Sequence, residues 1–232
     1  MPVDAMRAFV LADGPTYVAA LEPAERTVLL DVVDGVVELL GGRAGRAGRG
    51  VAEPRAGQLE DPVADPLEDP LEDPLEDPLR ALRLGAGPVS TPTDPALLRL
   101  LPDAAADRWL AAELRRLTES DLRGTKLNHL ARLRAAIEDA RPDLAVVPRD
   151  APAVAAALTD LRLVLASRLG VQSDADADAV YDLAVQDGPA ATQPEATARF
   201  LAAVYAVLTE LQESLVGLLV DALPPVRDTG SV

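Results

Sequence analysis

PEATARFLAAVYAVLTELQESLVGLLVDA, residues 194–222, decides the fold. Its apolar residues Leu201, Val204, Leu208, Leu211, Leu215, Leu218 and Ala222 recur in steps of three and four. That spacing is a heptad seam on an amphipathic helix, not the alternation of a half-buried strand. A long helix with one apolar stripe needs other helices to bury it. Two readings of the seam stand: the central helix of a bundle, or a coiled coil that pairs two copies of the chain.

Toward the N-terminus the helical period continues. APAVAAALTDLRLVLASRLG (151–170) is a helix stopped by Gly170, and SDADADAVYDLAVQDG (173–188) is a shorter one capped by Ser173 or Asp174. Pro142 and Pro148 bracket a turn. Thr118 and Asp121 fit the S/T-x-x-D/E capping pattern, which opens a helix over 119–140. A separate helix before it, AADRWLAAELRRL (105–117), presents Trp109, Leu110 and Leu114. DPALLRLLP (94–102) is a short helix. EPAERTVLLDVVDGVVELLGG (22–42) carries Val28, Leu29, Val32, Val33, Val36, Val37 and Leu40 on one stripe, with Pro23 in its first turn and Gly41 and Gly42 as its stop. Before it, two short β-prone runs flank Asp13-Gly14, a hairpin signal. The expectation is an all-α bundle of about six helices with a small N-terminal β-hairpin.

The chain divides into 1–41, which holds the hairpin and first helix, an insertion over 42–95, and 96–232, which holds the other helices of the same bundle. The insertion contains GGRAGRAGRG (41–50), DPLEDPLEDPLEDPL (65–79) and GAGPVSTPTDP (85–95). Prolines at every fourth position from Pro62 to Pro78 forbid a helix, and each Asp before a proline is pushed to extended angles. In a polyproline II helix each Leu turns about 120° from the last, so no apolar face forms. The insertion is expected to be a disordered acidic linker, its repeat a spacer reaching up to about 56 Å at ~3.1 Å per residue. The alternative for the repeat is a row of weak DPLE docking sites.

Composition removes several functions. The net charge is −16; residues 42–95 hold 11 acids and 6 bases, and the rest of the chain carries the other −11. An acidic body repels phosphate backbones and anionic membrane surfaces, so neither nucleic acid nor membrane is expected as a partner. With no cysteine there is no disulfide, thiolate nucleophile, zinc-thiolate site or iron–sulfur cluster. The first residues lack the basic and apolar regions of a signal peptide, and charges interrupt the longest apolar runs. A soluble cytoplasmic protein is the expectation.

No residue set has catalytic spacing. DADADA (174–179) starts like a calcium loop, but Ala179 and Val185 stand where that loop needs Gly and Glu. A helix N-terminus that favours acids explains the run. His129 is the single histidine and supports no multi-histidine metal site. GRAGRAGRG lacks the Gly-Lys-Ser/Thr ending of a P-loop, and no serine sits in a G-x-S-x-G elbow. No cofactor is expected. Some cations do fall on apolar helix faces: Arg123, Lys126 and Arg134 among Leu122, Leu127, Leu130, Leu133 and Ile137, and Arg168 among Val154, Leu158, Leu161, Val164 and Leu165, with Asp160 and Arg162 at the edge. Such charges pair or reach out to water. The structural reading is ion pairs, with Asp160, Glu113 or Glu210 as acids for Arg168 or Lys126. The functional reading is a site for an anion or an acidic partner made of Arg123, Lys126, Asp160 and Arg168.

These same helices carry a resemblance. ERTVLLDVVDGVVELLGG, DPALLRLLPDA, ELRRLTESDLRGTKLNHL, LTDLRLVLASRLGV and VYAVLTELQESLVGLL resemble the actinobacterial proteins grouped as domain of unknown function 2017. The family has no assigned activity for the resemblance to carry over. Genes of that family often lie beside an adaptor for Clp-type proteolysis and a JAMM-type metallopeptidase, which implies a place in regulated protein turnover. The expected function is therefore a non-enzymatic interaction or regulatory protein with a protein partner. The alternatives are a small-anion sensor or enzyme using the cationic cluster, and a structural homodimer through 194–222.

Overall fold

The computed structural model describes residues 8–12, 14–41 and 91–224. The linker reading for 42–90 lies outside them, as does Asp13. Six helices are present among the described residues: α1 (Pro23–Leu39), α2 (Pro95–Leu100), α3 (Arg108–Asp139), α4 (Ala151–Arg168), α5 (Asp174–Ala184) and α6 (Gln193–Asp221). Three strands, β1 (Val10–Leu11), β2 (Tyr17–Ala20) and β3 (Asp143–Val146), form one antiparallel sheet in the order β1-β2-β3. The fold is thus mostly helical rather than all-α.

The hairpin forms as the turn signal indicates. Val10 pairs with Val18 and Leu11 with Tyr17, around Gly14 at φ 120°, an angle that only glycine adopts without strain. The third strand corrects the turn expected between Pro142 and Pro148. Leu144 and Val146 are buried while Asp143 and Ala145 are exposed, the alternation of a strand with one covered face. Leu144 pairs with Ala19 and Val146 with Tyr17. A four-residue alternation between prolines is too short to be told from a turn without its partner strand. Phe9 N, just before β1, donates to Ser214 Oγ at 2.9 Å and ties the sheet to α6.

The helix at the centre is α4, not the C-terminal helix. It packs on α1, α2, α3 and α6, and Val154, Ala157, Leu158, Asp160, Leu161 and Val164 are buried on it. A helix covered nearly all round carries no narrow apolar stripe, so its sequence is less conspicuous than an amphipathic one. Its alanines let neighbouring helices approach closely. It ends at Gly170, φ 76°, where Val171 N bonds back to Ala166 O at 2.9 Å. Helix α1 likewise stops before Gly41 at φ 75°.

Residues 108–139 form one 32-residue helix, where two are expected from the sequence. Thr118 is not a cap: its hydroxyl donates to Leu114 O at 2.9 Å, inside the helix. The cap is Asp107, whose carboxylate accepts from Leu110 N at 2.8 Å. Asp107→Ala is expected to lower the free energy of unfolding by about 1 kcal/mol, and Thr118→Ala to change it by less than about 0.5 kcal/mol. Urea melts of the two variants check this, and equal losses would restore the two-helix reading. Residues 91–95, assigned to the insertion from sequence, belong to the bundle. Asp94 caps α2 by accepting from Ala96 N at 2.8 Å.

Candidate functional site

The four charged residues singled out by sequence enter three different contacts. Lys126 Nζ of α3 donates to Asp160 Oδ1 of α4 at 2.6 Å, and Asp160 is only 3 % exposed. Arg123 binds elsewhere: its guanidinium donates to Leu40 O at 2.8 Å and to Glu119 Oε1 at 2.6 Å, so it completes the last turn of α1. Arg168 Nη2 meets Asp94 Oδ2 at 2.7 Å, and that bond holds the Asp94 carboxyl below its usual range. Of the acids offered by sequence, Asp160 takes Lys126, whereas Glu113 takes Arg116 at 2.6 Å. Arg134 bonds Asp34 of α1 at 3.0 Å and also Glu138. Lys126, Arg123, Arg134 and Arg168 each tie α3 or α4 to a neighbouring element.

Sequence reasoning missed Arg115, the most buried cation of the described residues at 6 % exposure. It donates to Asp103 at 2.8 Å, Glu119 at 2.8 Å and Leu101 O at 3.0 Å. Those bonds raise its pKa further, Asp103 first and Glu119 second. Burial pushes the Glu119 carboxyl up, but the bonds from Arg115 and Arg123 outweigh it and the net shift is downward. The network fixes the N-terminal half of α3 to the loop after α2. The only signal for it in the sequence is an arginine four residues before a glutamate.

The heptad seam of α6 faces its own chain. Val204, Leu208, Leu211 and Leu215 are buried, and Leu201 and Leu218 are partly buried at its ends. By length and composition α6 is the one described helix able to cross a bilayer, although its sequence contains charges. Its seam leucines instead share one core with α4.

The run of aspartates at 174–179 caps α5. Asp176 accepts from Gln172 N, Ser173 N and Ser173 Oγ, all at 2.9 Å, and these bonds hold its carboxyl below its usual range. Among the described residues no three His, Asp or Glu side chains are grouped to hold a metal ion. His129 is partly buried beside Asn128, Arg132 and Arg149 in a recess of about 330 Å³.

A broad concavity lies where α1 and α6 leave a gap, closed at one end by the loop after α5. It is a cleft of about 930 Å³. Val28 lines one wall, Ala203, Val204 and Val207 the other, and Phe200 and Val185 stand at 51 % and 62 % exposure. Alanines at 24, 196 and 203 keep it open, since larger side chains there would fill it. Glu25, Asp187 and Arg199 are its charged residues. Arg199 is engaged by Glu195 and by Gly188 O at 2.9 Å, which leaves Glu25 and Asp187 to set the sign. Neither a nucleophile–base pair nor a cluster of bases lines it.

The family model described as domain of unknown function (DUF2017) matches residues 6–219. The chain belongs to that family. No curated protein and no solved structure matches it. The DUF2017 match takes in the three strands, helices α1 to α5 and α6 up to residue 219.

Proposed function

We propose that this DUF2017 protein is a non-enzymatic interaction module that holds a segment of a partner polypeptide in the α1–α6 cleft. The observation that carries this reading is the lining: apolar walls, half-exposed Phe200 and Val185, and no reactive set. Apolar anchors on a partner would fill the space over the alanines. Glu25 and Asp187 at the cleft favour a basic residue beside those anchors. Regulated turnover, which the family resemblance implies through genes that lie beside a Clp adaptor, is the proposed setting.

The test places a photo-cross-linking side chain at Val185 in the native host. The expected result is one predominant cross-linked polypeptide that, once purified, binds the chain directly. Ala203→Phe is expected to weaken that binding at least about tenfold by filling the cleft. A purified partner that binds Ala203→Phe as tightly as the parent protein would rule the cleft out.

A further inference from the structure

Helix α3 is apolar on two different sides. In its C-terminal half Leu130, Leu133 and Ile137 are buried in the core. In its N-terminal half the stripe is Leu110, Leu114 and Leu117, about half a turn round the axis from the first at roughly 100° per residue. That second stripe points away from the core: Leu110 is 51 % and Leu117 57 % exposed. Trp109 beside it is 84 % exposed. The change of side explains why the sequence reads as two helices. A continuous helix gains nothing from a second stripe unless something packs there.

The stripe is held on a rigid mount. Arg115, on the inner side of the same turns, is buried and bonded to Asp103, Glu119 and Leu101 O. The stripe leucines recur at i, i+4 and i+7, with Leu110 and Leu117 exposed and Leu114 half-buried between them, which is how one helix reads another. Charge chooses the partner. Asp121 occupies the next seam position and Asp107 stands at the N-terminal end, both acidic. Of the exposed cations on these turns, Arg108 directly follows the Asp107 cap and Arg116 bonds both oxygens of Glu113, at 2.6 and 3.1 Å, which leaves Asp121 as the charge on the seam itself. A second copy would bring acid against acid between chains of net charge −16 each. We propose that the outward face of α3 is a docking surface, separate from the cleft, for a basic amphipathic helix of another protein.

Trp109 is the only tryptophan, so it reports the event directly. The probe is a synthetic peptide of about 18 lysines and leucines with leucines at i, i+3, i+4 and i+7. The control has the same composition, scrambled. The full chain is expected to bind the first peptide with a blue shift of Trp109 emission, and the scrambled peptide at least about tenfold more weakly. Leu110→Glu with Leu117→Glu, both exposed, is expected to keep the parental melting curve and lose at least about tenfold in affinity. Ala203→Phe is expected to leave this binding unchanged, so failure here and failure of the cleft are read separately. Equal binding of the two peptides would reduce the effect to charge and overturn the proposal. So would a double variant that binds as well as the parent. Blue-shifted emission in the chain alone that reverts on dilution would assign the face to a second copy instead.

Discussion

Lys126→Met is expected to lower the free energy of unfolding by about 3–5 kcal/mol, more than any other single loss of a charge in the bundle. The reason is the asymmetry of the pair. The Asp160 side chain is 4 % exposed and that of Lys126 17 %, with Nζ and Oδ1 at 2.6 Å. Removing the lysine strands a carboxylate on the most enclosed helix, with no route to water. Asp160→Ala is expected to cost less, because the lysine stem can carry its ammonium outward. Replacing both, Lys126→Met with Asp160→Leu, is expected to recover most of the loss, since neither desolvated charge then remains. Urea melts of the four proteins give the coupling directly. A Lys126→Met protein within about 0.5 kcal/mol of the parent would show that the pair is not enclosed as described.

The same pair shows what the sequence made legible. Lys126 falls on an apolar wheel face and Asp160 at the edge of another, so an ion pair between their helices is readable from periodicity. Arg123 and Arg168 share that signature yet reach Leu40 O and Asp94, because a wheel gives a direction around one helix and not which element lies there. The amphipathic α6 and the Asp-Gly hairpin announce themselves through period and turn chemistry. By contrast β3 is four residues whose meaning depends on β2, far away in the chain. The continuity of α3 was hidden by its change of apolar side together with a false capping pattern at Thr118. The cleft was invisible, because it is lined by α1, α6 and the loop between α5 and α6 and by ordinary alanines and valines. Small side chains mark an open space only when their neighbours in three dimensions are known.

The orientation of α6 fixes the second large effect. Leu208→Glu together with Leu215→Glu is expected to abolish the cooperative thermal transition. Both leucines are fully buried, in one core with Leu158 and Leu161 of α4. Losing such a side chain costs about 2–5 kcal/mol, and each new carboxylate adds the penalty of an unpaired buried charge. Two such sites together exceed the roughly 5–15 kcal/mol that holds a typical domain. The outward residues of the same helix behave differently: Val216 and Val220 are 39 % and 58 % exposed, and Val216→Glu with Val220→Glu is expected to melt like the parent. Circular dichroism and sedimentation of the two double variants separate the two meanings of the heptad seam. A seam between two copies would turn Leu208→Glu with Leu215→Glu into a folded monomer with the parental Tm. A seam inside one chain leaves nothing for the remaining helices to pack against, because α6 covers α4 and α5 and anchors β1 through Ser214.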